Sequence, residues 1–175
     1  MNLKSALSLI REVPDFPQPG VLFRDITPLL YDAQGFSTVV DELCKLAEGA
    51  STFAGIEARG FIFASAMAVR SSAGFVPIRK GGKLPSAVYS ESYSLEYGEA
   101  ILEIHQDSLS GSASIVIVDD VLATGGTLEA AIKLVERAGG NVVAVVSLIE
   151  ISALEGRDRL MKSFPKLRID SLLTT

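Results

Sequence analysis

Two adjacent carboxylates, Asp119 and Asp120, follow four β-branched residues and precede a loop of small residues. The loop consists of Ala123, Thr124, Gly125, Gly126 and Thr127. An Ala- and Leu-rich helical pattern follows, and the amides ahead of a helix lack intrahelical acceptors, so the helix dipole favours an anion there. Glycines let the main chain approach a ligand, and threonine hydroxyls add donors. The loop is therefore typical of a phosphate site, although a plain strand-to-helix turn with a Thr cap has the same composition.

The carboxylates need partners other than the phosphate, because like charges repel. Vicinal sugar hydroxyls donate hydrogen bonds to carboxylates, and a divalent cation binds them directly. A ribose 5-phosphate, with or without a metal ion, satisfies both the acids and the loop. Other nucleotide motifs fit less well, because the loop has no P-loop lysine and no Gly-x-Gly-x-x-Gly follows the first strand.

The elements that must position these residues alternate between strand and helix. Apolar strands are predicted at Phe53 to Ile56 and in "GFVPI", "SIVIV" and "NVVAVVSLI". Helices are predicted at Gly35 to Ala47, in "FIFASAMAVRSSA" and from Thr127 to about Ala138. This order predicts an α/β fold with a largely parallel sheet covered on both faces. Ligands bind beyond the carboxyl ends of such strands, so the acids, "EARG" and "ATGGT" should share one edge.

Three other segments have weaker patterns. An amphipathic N-terminal helix should place Leu3, Ala6, Leu7 and Ile10 on one side. The four prolines of "PDFPQPGVLFRDITPLL" predict a loop, and "GGKLPSAVYSESYSLEYG" has no strong period. In "EAILEIHQ", Leu102 and Ile104 alternate with Ile101 and Glu103, as expected of a strand.

The composition limits the classes of function. A chain of 175 residues with 48% hydrophobic residues fits a single folded domain. The net charge of −5 and the lack of a basic run argue against nucleic-acid binding. No apolar run is long enough to cross a bilayer, and the single cysteine, Cys44, is interpreted as a core residue in a reducing compartment. We therefore expect a cytoplasmic protein, in which the close cations Arg79, Lys80 and Lys83 suit a small anion.

The stretch "VIVDDVLATGGT" resembles the phosphoribosyl-diphosphate (PRPP) signature of the type I phosphoribosyltransferases. Four further segments, in the same order, resemble the adenine-specific members of that family: "PDFPQPGVLFRDITPLL", "GIEARGFIF", "IRKGGKLP" and "SYSLEYGEAILEI". The resemblance implies a type I phosphoribosyltransferase-like fold in one domain, 1–175, with a small hood from about 1–35 and a flexible loop at about 80–98. It also implies a homodimer and a purine-salvage enzyme that uses Mg²⁺ to make AMP and pyrophosphate from adenine and PRPP.

The resemblance assigns roles in PRPP binding. Residues 123–127 would hold the 5-phosphate, and Asp119 and Asp120 the ribose hydroxyls, with at least one of them near the developing positive charge or, through water, the metal. Pyrophosphate would be bound by two groups of residues: Glu57, Ala58 and Arg59 in the loop "IEARG", and Arg79, Lys80 and Lys83, either within one chain or across a dimer interface. The family often has Asp-Ser where this chain has Glu57-Ala58, which removes a hydroxyl and leaves main-chain contacts.

The resemblance also assigns adenine contacts and loop closure. Phe23 would stack on adenine while the main chain at Leu22 and Arg24 reads the base edge, although Phe23 alone suits a core aromatic. Glu96 would exchange a proton with the purine, and Tyr97 would order the closed loop. His105 receives no catalytic role. Two alternatives remain, which are the same reaction on xanthine or hypoxanthine and a PRPP-sensing regulator that binds nucleic acid without chemistry.

Overall fold

The computed structural model describes residues 1–94, 99–109, 111 and 113–175, which divide into two compact units, Met1–Glu42 and Leu43–Thr175. The helices are α1 (Leu3–Leu7), α2 (Thr27–Tyr31), α3 (Ala33–Leu46), α4 (Arg59–Arg70), α5 (Gly126–Arg137) and α6 (Gly156–Ser163), with a 3₁₀ turn at Ser152–Leu154. The strands are β1 (Arg11–Pro14), β2 (Leu22–Asp25), β3 (Thr52–Ile56), β4 (Gly74–Lys80), β5 (Val88–Ser94), β6 (Glu99–His105), β7 (Ser114–Leu122), β8 (Asn141–Glu150) and β9 (Arg168–Thr174). None of the described helices is long and apolar enough to span a membrane.

The first unit contains an antiparallel hairpin in which β1 pairs with β2, from Arg11 opposite Asp25 to Pro14 opposite Leu22. The prediction of a loop over residues 14–30 is therefore wrong for β2 and for α2. Prolines are tolerated where the structure has them, since Pro14 ends a strand and Pro28 lies in the first turn of α2, where no amide donor is required. The N-terminal helix is also shorter than predicted, because it ends at Leu7 and leaves Ile10 outside it.

Among the described residues of the second unit, seven strands form one sheet in the order β5-β6-β4-β3-β7-β8-β9. The five strands β4, β3, β7, β8 and β9 are parallel, and β6 and β5 continue the sheet in antiparallel fashion. Every residue from Ile115 to Val118 in β7 is fully buried, so both faces of the sheet are covered there. The prediction of a mostly parallel sheet flanked by helices is confirmed.

The direction in which successive strands are added to the sheet reverses between β3 and β7. From β3 the chain passes through α4 to β4 on one side, whereas from β7 it passes through α5 to β8 on the other side. Because such crossovers are right-handed, the two helices lie on opposite faces of the sheet. The carboxyl ends of β3 and β7 therefore border a crevice of the kind in which open α/β sheets bind ligands.

Two parts of the sheet were not expected. Strand β5 lies in the segment without a clear period and pairs along its length with β6, from Val88 opposite His105 to Ser94 opposite Glu99. Its serines at 90 and 92 are exposed, whereas Tyr89, Glu91 and Tyr93 are half-buried, so the alternation is present but masked by a carboxylate on the inner side. The sequence patterns also assign no element to residues 151–175, where the structure has α6 and the edge strand β9.

Candidate active site

The acidic pair lies within strand β7 rather than after it. The strand continues to Leu122, and Asp119 pairs with Ser147 of β8. Because side chains alternate along a strand, the two aspartate side chains leave β7 in different directions, yet the start of α4 reaches both carboxylates. Asp120 is buried with 5% of its surface exposed, whereas Asp119 is half-buried. The Asp120 amide donates a hydrogen bond of 2.9 Å to Asp119 Oδ1.

The neighbouring strand brings an arginine to this pair. Gly55 of β3 lies opposite Val118 of β7, so the loop after Ile56 emerges beside the acids. Arg59, the first residue of α4, places Nη2 2.9 Å from Asp120 Oδ2. That oxygen is buried and has no aligned hydrogen-bond partner among the described residues. The contact is an ion pair whose acceptor keeps unused hydrogen-bonding capacity.

Burial makes the negative charge of the pair costly. It raises the pKa of Asp120, against the opposing effect of the Arg59 charge. The pKa of Asp119 is raised well above its ordinary value, first by burial and then by the charge of Asp120. Hydroxyl donors or a cation at this edge would favour the ionised carboxylates and offset that cost.

Gly60 explains how α4 comes so close to β7. A Cβ atom at this position would lie 2.7 Å from the Val118 carbonyl oxygen and 3.0 Å from Asp119 Oδ1. Real Cβ atoms are essentially never closer than 3.0 Å to another heavy atom, so only glycine fits without a shift of the helix. The Arg-Gly dipeptide of "EARG" therefore sets the distance between Arg59 and the aspartates. Sequence reasoning missed this function of Gly60.

Glu57 is held by cations of its own chain. Its carboxylate accepts hydrogen bonds from Lys83 Nζ at 2.5 Å, the Lys80 amide at 3.1 Å and Arg79 Nε at 3.2 Å. Burial opposes ionisation, but these donors outweigh it and lower the pKa of Glu57 to about 2. The following peptide bond, to Ala58, is cis. The structure thus gathers Arg79, Lys83 and the Lys80 main chain around the Glu57 side chain, whereas Arg59 contacts Asp120 instead.

The loop after β7 has a glycine cap. Gly125 is the N-cap of α5 with a φ of +79°, a left-handed conformation that favours glycine, and it provides no side-chain cap for the first amides of the helix. The alternative of a threonine-capped turn is therefore wrong. A pocket of about 50 Å³ opens here, lined by Val121, Ala123, Thr124, Gly125, Thr127 and Leu128. Amides without a side-chain acceptor, beside a small pocket that two threonines help to line, are suited to an anion.

Gly156 packs closely against the backbone of this loop, and sequence reasoning missed this contact. A Cβ atom at Gly156, the first residue of α6, would lie 2.0 Å from the Ala123 carbonyl oxygen and 2.8 Å from the Gly125 nitrogen. The contact spans about thirty residues of sequence, so no local pattern could have indicated it.

The expected adenine residues lie on β2 of the first unit. Phe23 is half-buried, and its ring meets Phe16 edge-on with the centroids 5.1 Å apart. Arg24 forms an ion pair with Glu12 across the hairpin, and Leu22 is 43% exposed. The structure brings these residues together as neighbours on one strand, and their contact with adenine stays a prediction.

The other residues considered from the sequence are Glu96, Tyr97, His105 and Cys44. Glu96 and Tyr97 lie outside the described residues. His105 ends β6, away from the elements that carry the aspartates, and its Nε2 is buried without a hydrogen-bond partner among the described residues. Cys44 is half-buried in α3, with its sulfur 3.5 Å from Ser71 Oγ.

The described residues contain no group of three or more His, Cys, Asp or Glu side chains that could hold a metal ion. Mg²⁺, however, is normally held by one or two carboxylates together with water and substrate phosphates. The adjacent Asp119 and Asp120, with a buried oxygen that lacks an aligned donor, fit that mode of binding.

Comparison with known proteins gives consistent matches. The family model described as "Phosphoribosyl transferase domain" matches residues 31–173. The chain is 49% identical to the adenine phosphoribosyltransferase of Acidobacterium capsulatum over 175 residues, covering 99% of this chain and 94% of the relative. It superposes on the crystal structure of the Thermoanaerobacter pseudethanolicus adenine phosphoribosyltransferase with a TM-score of 0.93 at 45% identity, covering 99% of this chain and 100% of the other. The Saccharomyces cerevisiae enzyme, solved with adenine and an iminoaltritol bisphosphate, gives a TM-score of 0.89 at 31% identity and 97% coverage of both chains.

Proposed function

The chain belongs to the adenine phosphoribosyltransferase family, and from this premise we propose that the sheet edge around Asp119 and residues 123–127 carries the reaction. The enzyme transfers the 5-phosphoribosyl group of PRPP to adenine, which gives AMP and pyrophosphate in purine salvage. One observation carries the assignment of the site. The end of a single strand brings together the half-buried Asp119, the buried Asp120, Arg59 and the start of α5, which has no side-chain cap, at the point where the strand order reverses.

The phosphate end of PRPP is assigned to the start of α5. The amides around Gly125 and Gly126 have no side-chain acceptors, and the helix dipole favours negative charge at this end. Thr124 is exposed and Thr127 is half-buried, so both hydroxyls are near enough to the surface to donate. The ribose hydroxyls are assigned to Asp119 and Asp120, because ionised carboxylates only accept hydrogen bonds.

The pyrophosphate end is assigned to Arg59 and to the cluster around Glu57. Arg79 and Lys83 are already gathered at the end of β4, although Glu57 offsets part of their charge. The amides of Glu57 and Ala58 would add main-chain donors. The side chain of Glu57 thus takes a different role from a serine hydroxyl, since it organises cations instead of donating to the ligand.

Family members use a metal ion bound to PRPP, and we infer that the ion is Mg²⁺. When bound, it would neutralise charge on the departing pyrophosphate. Asp119 or Asp120 would hold it through water. We further propose a homodimer in the cytoplasm, in which the exposed Lys80 reaches the neighbouring site while Arg79 and Lys83 remain with Glu57 of their own chain.

The chemistry is governed by charge separation. The bond between C1 of the ribose and pyrophosphate breaks before the purine nitrogen is fully bonded, which leaves a cation-like sugar. Asp119 and Asp120 stabilise this positive centre, while Arg59 and the cations at residues 79–83 stabilise the departing anion. Charges fixed in a site that excludes water are effective because they need no reorganisation during the reaction.

Adenine binding and proton transfer follow the family resemblance. Phe23 would stack on the base, and the main chain of Leu22 and Arg24 would read its adjacent donor and acceptor. Closure of residues 83–97 would exclude water from the activated sugar, with Tyr97 ordering the loop. Glu96 would accept the purine proton, a contribution of about 10²–10⁴-fold.

Parallel assays with four bases test the function. The protein is incubated with PRPP and Mg²⁺ and with adenine, hypoxanthine, guanine or xanthine, and the nucleotide and pyrophosphate formed are quantified. We expect AMP and pyrophosphate in equal amounts, with adenine strongly preferred. A higher kcat/KM for xanthine or hypoxanthine would reassign the base, and PRPP binding without turnover of any base would favour the regulator.

A further inference from the structure

We propose that Gly156 and the Glu150–Arg157 ion pair position the phosphate loop, residues 123–127, and thereby set the affinity for the 5-phosphate of PRPP. The inference rests on the proposed function, since it concerns residues that act on that loop without contacting the ligand. It assigns a positioning role to the segment Glu155–Arg157, which begins α6.

The closest approach between the two segments is between backbone atoms. The hypothetical Cβ atom of Gly156 would fall 2.0 Å from the Ala123 carbonyl oxygen, and that of Gly125 would fall 2.7 Å from the Gly156 carbonyl oxygen. Because the packing is this close in both directions, no side chain can cushion a shift of either segment. The path of the phosphate loop is therefore tied to the position of Gly156.

The residue before Gly156 has an unusual backbone conformation. Glu155 has a φ of +53°, in the left-handed region that non-glycine residues rarely adopt. Such a conformation is strained and persists only where the surroundings enforce it. Here two backbone hydrogen bonds enforce it. The Glu155 carbonyl oxygen accepts the first helical hydrogen bond of α6 from the Arg159 amide, and the Glu155 amide donates to the Ser152 carbonyl oxygen.

Arg157 fixes the segment to the sheet. Its Nε donates to Glu150 Oε1 at 2.8 Å and its Nη2 contacts Glu150 Oε2, while Nη1 donates to the Ile169 carbonyl of β9 at 2.5 Å. Glu150 is the last residue of β8 and only 5% exposed. The hydrogen bonds from Arg157 lower the pKa of Glu150 despite its burial, so the pair is ionised at neutral pH. A bidentate arginine–carboxylate pair also fixes the relative orientation of the two side chains, which a single contact does not.

A second ion pair connects the same helix to α5. Arg159 Nε lies 2.8 Å from Glu129 Oε2, and Glu129 lies in the first turn of α5. The start of α6 is thus tied to β8, to β9 and to the helix whose first amides face the phosphate pocket. When the Arg157 contacts are lost, Gly156 is free to move, and the amides of the loop lose the fixed spacing that a phosphate requires.

Titration calorimetry with two probes tests the inference. The wild-type protein and the variants Gly156→Ala and Arg157→Lys are titrated with PRPP and, separately, with inorganic pyrophosphate, both with Mg²⁺. Misplacement by about 1 Å can cost about 10²-fold in a positioned site, so we expect the Kd for PRPP to rise by about tenfold or more. The Kd for pyrophosphate should stay within about twofold, because the cluster at Glu57 and Arg59 is on another loop.

Gly139→Ala is the matched control. Gly139 has a φ of +89° but nothing within 4 Å of a Cβ atom, so this substitution strains a turn at the far end of α5 without touching the loop. Its Kd for PRPP should equal that of the wild type even where its melting temperature falls. If Gly156→Ala does not fold, Arg157→Lys carries the test.

The outcomes separate this inference from the proposed function. A wild-type protein that does not bind PRPP would overturn both. A wild-type protein that binds PRPP, with Arg157→Lys and Gly156→Ala binding equally well, would overturn the positioning role alone. An equal loss of affinity for PRPP and pyrophosphate in these variants would also overturn it, because general destabilisation would then explain the loss.

Discussion

Glu57→Gln should reduce the stability of the protein in a pH-dependent way. The substitution preserves the shape of the side chain but removes the charge that Lys83, Arg79 and the Lys80 amide surround. Two cations then lie close together without the carboxylate that separates them. The free energy of unfolding at pH 7 should therefore fall.

The size of the loss follows from the pKa of Glu57. A shift from 4.5 to about 2 corresponds to about 3 kcal/mol if it is converted in full. The side chains of Arg79 and Lys83 are 33% and 47% exposed, so solvent screens the cluster. We therefore expect a loss of about 1–2 kcal/mol at neutral pH.

The sign of the pH dependence is fixed by the direction of the shift. Because the folded-state pKa lies below the unfolded value, the stabilisation is complete above about pH 4.5 and is lost as the pH falls towards 2. Urea unfolding of both proteins at pH 7 and pH 3 measures the difference, which should shrink by about half or more at pH 3. Glu48 is exposed, so Glu48→Gln serves as the control and should leave the free energy of unfolding unchanged at both pH values. A Glu57→Gln protein as stable as the wild type at pH 7, or a difference independent of pH, would show that the cations do not stabilise the fold through the Glu57 charge.

Three further predictions concern catalysis and packing. Asp120→Asn should lower kcat by about 100-fold with a nearly unchanged melting temperature, and normal turnover would show that the acidic pair does not stabilise the reacting sugar. Glu96→Gln should lower kcat by about 10²–10⁴-fold and leave the Kd for PRPP nearly intact, whereas loss of PRPP binding would assign Glu96 to assembly of the site. Phe63→Ala, which empties a fully buried position of α4, should lower the free energy of unfolding in urea by about 3–5 kcal/mol, and a loss under about 1 kcal/mol would mean that the core collapses around the gap.

The parallel core could be predicted because its evidence is local. Strand β7 contains four consecutive buried β-branched residues, Ile115 to Val118, a pattern that is typical of a sheet covered on both faces. Strand β5 could not be recognised in this way. Its inward Glu91 lies 3.8 Å from Lys133 of α5, so a polar residue is accommodated on the inner side by a partner that only the tertiary structure supplies.

Part of the candidate site could likewise be predicted from local sequence, whereas the rest depends on tertiary packing. Asp119, Asp120 and the phosphate loop lie in one short stretch of sequence, so the motif could be predicted from the sequence alone. The position of Arg59 against Asp120 depends on Gly60 and on the pairing of β3 with β7, and both follow from packing. The side chain of Glu57 finds its partners 22 and 26 residues away, at Arg79 and Lys83, and these contacts could not be derived from the spacing of charges alone.

The proposed catalytic role of this sheet edge depends most directly on where a phosphorylated ribose binds. A crystal structure of the protein with AMP or PRPP measures this position. We predict that the 5-phosphate lies against the amides of residues 123–127 and that the ribose hydroxyls face Asp119 and Asp120. Electron density that places the sugar phosphate away from the end of β7 would contradict the account.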